Sequence, residues 1–258
     1  MELIHFELEN NVAKIKLNRP EKFNSFNREM ALQLQEKLSI CETDKNIRAV
    51  FIYAEGKAFC AGQDLSEAVD ANGPVIEKIV REHYNPIIQK IRTIEKPIVC
   101  GVNGVAAGAG ASLALACDIV IAANSAAFIQ AFSKIGLIPD SGATFFLPRY
   151  IGLQKAAALM MLGDKIMATE AQQMGMIYKT FDDANFFQEA LNIANTLASM
   201  PTRGIGLTKQ LLNKSMNNTL EQQLDLEADM QVKAAQTHDH QEGVKAFFEK
   251  RKPVFKGE

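Results

Sequence analysis

Three short uncharged runs constrain this chain most: Ala49–Ala54, Ile98–Val102 and Ile119–Ala122. They carry no polar–apolar alternation, and each reads as a strand buried on both faces. Helical periodicity fills the spaces around them. Met30, Leu34, Leu38 and Cys41 share one face of a helix over Asn27–Cys41. Val75–Thr93 also reads as helix, and a helix from about Gly108 to Ala116 separates the last two runs. One further strand, Val12–Leu17, does alternate, with Ala13, Ile15 and Leu17 facing in and Lys14 and Lys16 facing out, until Asn18-Arg-Pro20 ends it. Strands alternating with helices make this an α/β core.

Beyond about Asn185 the pattern is wholly helical. The chain therefore divides into an α/β core over residues 1–184 and a helical region over 185–258, whose helices need a surface to dock on. Thr169-Glu-Ala-Gln172 has the form of a capping box, with Gly175 as the matching C-terminal stop. With 258 residues, 47% of them hydrophobic, the chain can bury one large domain. A net charge of -2 gives no reason to expect nucleic acid or an anionic membrane as partner. Cys41, Cys60, Cys100 and Cys117 form no CxxC pair and mostly lie in or beside apolar runs, as reduced buried thiols do. The N-terminus lacks the order of a signal peptide, and no uncharged apolar run approaches the roughly 20 residues of a membrane span. The cytoplasm is the expected location.

Three small-residue segments are candidates for chemistry: Ala58–Leu65, Asn103–Leu113 and Gly136–Arg149. Small residues let backbone N–H groups approach a ligand. The second segment follows a strand and opens a helix, so its N–H groups and the helix dipole favour negative charge there. Two such donors converging on one oxygen make an oxyanion hole. Tight helix–sheet packing explains the same spacing equally well. Gly108-Ala-Gly110 is half of a dinucleotide fingerprint, but Leu113 stands at its third glycine. Gly110-Ala-Ser112-Leu-Ala falls short of a nucleophile elbow. A hydrolase would also need a histidine, whereas His238 and His240 sit two apart in a polar helical tail, facing different directions. Ser112 reads as a packed hydroxyl. In the third segment Asp140 stands alone among apolar residues and glycines, where a carboxyl pKa tends to rise. Local sequence favours helix capping for it, since it follows Pro139 and precedes a helix-compatible run.

Together these segments resemble the crotonase family, the enoyl-CoA hydratase/isomerase superfamily. The resemblance spans nearly the whole chain and includes Asn18–Asn24, Phe59–Leu65, Lys96–Gly104, Cys117–Val120 and Glu242–Lys256. It implies a spiral core of ββα units and a helical C-terminal trimerisation region, giving a homotrimer or a dimer of trimers. It implies an acyl-CoA substrate, with no metal or redox cofactor. By motif match the thioester oxygen lies between the backbone N–H groups of Gln63 and Ala109, the latter standing where relatives usually have glycine. Hydratases of the family use two carboxylates; at those places this chain has Ser112 and Phe132, which disfavours hydration. Asp140 stands where certain isomerases and a dehalogenase keep their working acid. Its surroundings look most like the isomerases that convert a ring-1,2-epoxyphenylacetyl-CoA to oxepin-CoA, with Δ3,Δ2-enoyl-CoA isomerases as the alternative. The resemblance also assigns Lys22, Phe23, Ala61, Asp64, Leu65, Gly108 and Phe132 to acyl-CoA binding. Lys252 or Lys256, from a neighbouring copy, becomes a candidate for the CoA phosphate. The Ser66–Glu82 region is expected to shape the acyl pocket, with Phe132, Phe145 and Phe146 as candidate lining or as core.

Overall fold

In the computed structural model, which describes residues 2–70 and 73–258, the buried runs become the centre of a sheet. In chain order the strands are β1 (Ile4–Glu9), β2 (Val12–Leu17), β3 (Ala49–Ala54), β4 (Ala58–Cys60), β5 (Ile98–Val102), β6 (Val105–Ala107), β7 (Ile119–Ala123), β8 (Ala127–Ile129), β9 (Lys165–Met167) and β10 (Lys179–Phe181). Two sheets form, β1-β2-β3-β5-β7-β10 and β4-β6-β8-β9. Three successive pairs, β3/β4, β5/β6 and β7/β8, each put their first strand in the large sheet and their second in the small one. That repeat is the expected spiral of ββα units. Its effect is to bring the loops after β4 and β6 side by side, because those strands pair in parallel.

The large sheet is parallel from β2 to β10, and β1 closes it as an antiparallel hairpin with Ile4 opposite Leu17. Asn10 and Asn11 turn this hairpin at φ 50° and 62°, the paired left-handed conformation that a two-residue hairpin turn requires and asparagine tolerates. Every residue of β5 is buried, as are Ala49–Ile52 of β3. The helix expected at Asn27–Cys41 runs Arg28–Thr43, with the Asn27 side chain accepting from the Met30 N–H at 2.9 Å. The capping box expected at Thr169–Gln172 does not form. The helix there starts at Ala168 with no side-chain cap, and Gln172 Oε1 instead accepts from Thr180 N at 2.6 Å. A capping box stands at Thr219 and Gln222.

The helical region does not begin as a separate unit. Its first helix, Phe186–Ser199, buries Phe186, Ala190, Ala194 and Ala198 within the main core, so the core continues past residue 184. The second, Thr202–Ser215, docks through a charge network. Lys209, 6% exposed, meets Asp118 Oδ2 at 2.7 Å and the Ile91 carbonyl at 2.7 Å, and Arg92 meets Asp118 Oδ1 at 3.1 Å. Removing one member of such a network strands the others, so Asp118→Ala should cost about 3–5 kcal/mol of stability in urea denaturation. A loss below about 1 kcal/mol would mean that the network does not hold the helix. The last two helices, Leu220–Ala235 and His238–Phe248, leave Leu220, Leu224, Phe247 and Phe248 exposed. No helix among the described residues is long and apolar enough to cross a membrane.

Candidate active site

The loop after β4 is pinned from below. Phe26 donates its N–H to the Gly62 carbonyl at 2.7 Å and accepts from Asp64 N at 2.8 Å. That parallel bridge faces Phe26 towards Gln63 while leaving Gln63's own N–H turned to the other side, with no acceptor among the described residues. Asp64 sets the loop's exit. Its Oδ1 accepts from Ser66 N at 3.0 Å, capping the short helix Leu65–Ala68, and its Oδ2 pairs with Arg19 at 2.8 Å. Burial acts to raise its carboxyl, but the Ser66 bonds and the Arg19 cation together hold it below the usual range. The Phe23 turn is tied in as well, since the Phe23 carbonyl accepts from Ala61 N at 3.0 Å.

Against this loop stands the helix Ala109–Ala116, every residue of which is buried. Gly108 precedes it at φ 52°, ψ -126°, a conformation that side chains forbid. This turn exposes the Ala109 N–H at the helix start, where no intrahelical partner exists. Gly110 brings the helix onto β4: a Cβ there would lie 2.4 Å from the Cys60 carbonyl oxygen. Ala109 N itself is 3.4 Å from where a Cβ of Gly62 would be, so the two N–H-bearing loops are in contact. Ser112 is fully buried, and its hydroxyl donates to the Gly108 carbonyl at 3.1 Å. Nearby Cys60 is pushed up to about 12 by burial and stays a thiol.

Asp140 does not cap a helix. Gly142, at φ 78°, takes the position before the helix Ala143–Ile151, and no side chain caps that helix. The Asp140 backbone carbonyl accepts from Ala143 N at 3.0 Å, which releases the carboxylate. Its Oδ1 accepts from the Ser141 hydroxyl at 2.9 Å, and no cation pairs with it among the described residues. Burial pushes the carboxyl above its ordinary range, against the weaker pull of Ser141 and its own backbone N–H. A carboxyl raised in the folded state weakens folding as pH climbs from its unfolded value, about 3.9, through the raised one. Asp140→Asn is therefore expected to melt above wild type at about pH 7.5 and level with it at about pH 4. A difference that does not change with pH would contradict the burial of this charge.

Seven residues singled out in the sequence, Ala61, Gln63, Leu65, Gly108, Ala109, Phe132 and Asp140, line one cavity of ≈ 260 Å³. Asp140 is the single acid lining it among the described residues. Lys22, Phe23, Asp64, Lys252 and Lys256 do not line it. Asp64 is committed to Arg19 and Ser66, while Lys22, Phe23, Lys252 and Lys256 are not buried against it. Phe145 and Phe146 also lie elsewhere: Phe146 packs in the core against Tyr150 and Arg92. From the Ser66–Glu82 region, Ala68, Ile76, Ile79 and Val80 form one wall; Ala71 and Asn72 lie outside the described residues. Sequence reasoning missed Tyr84, Leu137 and the rim residue Lys134, which also line it, as do Gly62, Ala131 and Ile135. Tyr84 has the spacing of a core residue, and Leu137 and Lys134 give no signal of their own.

An apolar cavity with Lys134 at its rim, two N–H groups that have no acceptor among the described residues and one displaced carboxyl suits an enolisable acyl group. Residues 7–258 match the enoyl-CoA hydratase/isomerase family. The chain is 48% identical to the 1,2-epoxyphenylacetyl-CoA isomerase of Escherichia coli K12, over 100% of its own length and 99% of that protein. It is 42% identical, over 98% of both chains, to a Rhodobacter capsulatus protein described as a probable enoyl-CoA hydratase. A crystal structure of an enoyl-CoA hydratase from Polaromonas sp. JS666 superposes with a TM-score of 0.91 at 34% identity, over 98% of this chain and 99% of that one.

Proposed function

Because the chain belongs to the enoyl-CoA hydratase/isomerase family, an enzyme family with this crotonase fold, we propose that it isomerises an acyl-CoA with one carboxylate. The substrate of this reading is 2-(1,2-epoxy-1,2-dihydrophenyl)acetyl-CoA, converted to oxepin-CoA. The observation that carries it is the single acid among the described residues of the cavity: Asp140 lines it, while Ser112 is bonded to its own helix and Phe132 is a hydrocarbon. The likeness to the Escherichia coli isomerase supports the ring-epoxide substrate.

The steps follow from the groups present. The thioester oxygen accepts from Gln63 and Ala109 N–H, at the positive end of the Ala109–Ala116 helix. Asp140 removes a proton from carbon next to the carbonyl or beyond a double bond. The electron pair spreads onto the held oxygen, and Asp140 returns the proton to another atom of the same acyl group. Nothing is gained or lost, so neither water nor a redox or metal cofactor enters the balance. Burial makes this carboxylate a stronger base than an ordinary aspartate, as proton removal from carbon requires.

The CoA nucleotide extends past the rim, where Lys134 stands and where Lys22 is exposed beside the Phe23 turn. Lys252 or Lys256 reaches it from a neighbouring copy in a trimer or dimer of trimers. The exposed Leu220, Leu224, Phe247 and Phe248 support burial of the last helices between copies. The enzyme works in the cytoplasm, where CoA thioesters are made and used. Turnover of the ring-epoxide acyl-CoA against a straight-chain 3-enoyl-CoA tests the substrate. A higher kcat/KM on the ring epoxide is expected; a higher value on the straight chain would move the assignment to a Δ3,Δ2-enoyl-CoA isomerase.

A further inference from the structure

Tyr84 lines the same cavity, yet its hydroxyl is buried and has no hydrogen-bond partner. The residue is 1% exposed, and its ring packs on Phe26 with centroids 5.8 Å apart. Phe26 is the residue that bridges to Gln63, so the phenol is anchored to the same base as the oxyanion loop. Locally the chain makes a widened π turn over Ile79–Tyr84, between the helical pieces Ile76–Lys78 and Asn85–Thr93. Such turns cost helix stability and recur at functional sites because they re-aim a side chain. A buried tyrosine hydroxyl ordinarily finds a partner, and an unmet donor lowers stability. Burial first, and then the nearby acids Asp140 and Glu67, push this phenol well above its usual range, so it stays neutral and able to donate.

What would accept from it is narrowed by the acyl chemistry. The thioester oxygen is already matched to the Gln63 and Ala109 N–H groups. A straight-chain enoyl group offers no other oxygen. A ring epoxide or oxepin does. Resting on the isomerase reading above, we propose that Tyr84 is a specificity-determining residue whose hydroxyl donates to an oxygen carried on the ring of the acyl group. It favours oxygenated rings and leaves plain hydrocarbon acyl groups facing an unpaired donor. A site built around such a donor discriminates against the ligand that lacks the acceptor.

Two probes that neither isomerise nor cyclise read this without turnover: 2-methoxyphenylacetyl-CoA, with an oxygen on the ring, and phenylacetyl-CoA, without one. Titration calorimetry on the wild type should give a Kd about tenfold lower for the oxygenated probe, the size of one well-formed hydrogen bond. Tyr84→Phe keeps the ring against Phe26 and should bind both probes alike, with phenylacetyl-CoA no weaker than before. A wild type without preference, or a preference that survives in Tyr84→Phe, overturns the proposal. So does an equal loss of kcat/KM on ring-epoxide and 3-enoyl substrates, because that would place the hydroxyl's effect on Asp140 instead of on the substrate. Failure of the isomerase reading would show separately, as a wild type that does not turn over the ring epoxide while the probe ratio stands.

Discussion

Asp140→Asn is expected to lower kcat by about 10²–10⁴-fold, the usual worth of a positioned acid–base group. Asparagine matches aspartate in size, and its side-chain oxygen keeps the acceptor for the Ser141 hydroxyl, which now lies 2.9 Å from Oδ1. The turn is made by backbone, through the Asp140 carbonyl and Ala143 N–H, and so survives the change. In the proposed mechanism acyl-CoA binding rests on the Gln63 and Ala109 N–H groups and the apolar wall, none of which is touched. The expected result is therefore a fall in kcat with Kd held within about twofold, the pattern of a group that acts in the transition state. No second carboxyl lines the cavity among the described residues to take over the proton. The pH dependence has a definite sign. Proton removal needs the carboxylate, so kcat/KM should fall as pH drops through the raised Asp140 value, at higher pH than an ordinary aspartate would give.

The second large effect concerns a residue with no side chain. In Gly110→Ala the new methyl would sit 2.4 Å from the Cys60 carbonyl oxygen and 2.7 Å from Cys60 Sγ. Cys60 ends β4, whose backbone is held by the parallel ladder to β6, so the helix must yield instead. Overpacking of this kind costs about 1–3 kcal/mol. The functional loss should be larger. Ala109, one residue earlier, moves with the helix, and a displacement of about 1 Å in a catalytic donor can cost about 10²-fold. Steady-state kinetics should show kcat/KM reduced by about that factor while the protein still folds. Gly204→Ala is the matched control: it lies within the helix Thr202–Ser215, and the added methyl would meet nothing within 4 Å. That change should gain roughly 0.5–1 kcal/mol and leave the kinetics alone. Wild-type kcat/KM in Gly110→Ala would mean that the helix contact does not position the Ala109 N–H.

Much of the scaffold can be read from local pattern. β3 and β5 are unbroken apolar runs, and both faces of each are covered. The Asn27 cap and the helix after it follow from one polar residue before a periodic stripe. β1 escapes such a reading, since its register comes from the Asn10-Asn11 turn and its exposed residues blur the alternation. Thr169–Gln172 has the right letters for a capping box, but strand β9 runs directly into that helix and Gln172 is drawn to Thr180. The helix Phe186–Ser199 looks like the start of an appendage because its small buried residues resemble those of any amphipathic helix. Only the sheet beneath it makes them core.

The site divides in the same way. The small-residue segments announce close backbone approach, but spacing alone leaves tight packing as good an explanation as an oxyanion hole. The family resemblance favours the second, and the fold brings both loops to one cavity. Asp140 illustrates the limit of local reading: Pro before it and a helix after it argue for capping. The cap falls two residues later because Ser141 and Gly142 both adopt left-handed backbone, at φ 53° and 78°, and turn the carboxylate away. Tyr84 is hidden for a related reason. Helical spacing puts it with the core, and the π turn that reorients it leaves no mark in the letters.

If one carboxylate moves a proton within the acyl group, no water is added. Mass spectrometry of the acyl-CoA product, formed in heavy-oxygen water by wild type and by Asp140→Asn, decides this point. The expected wild-type product has unchanged mass and no heavy oxygen, and the variant forms it about 10²–10⁴-fold more slowly. A product one water heavier, or one that still forms at the wild-type rate without Asp140, would contradict single-carboxylate isomerisation.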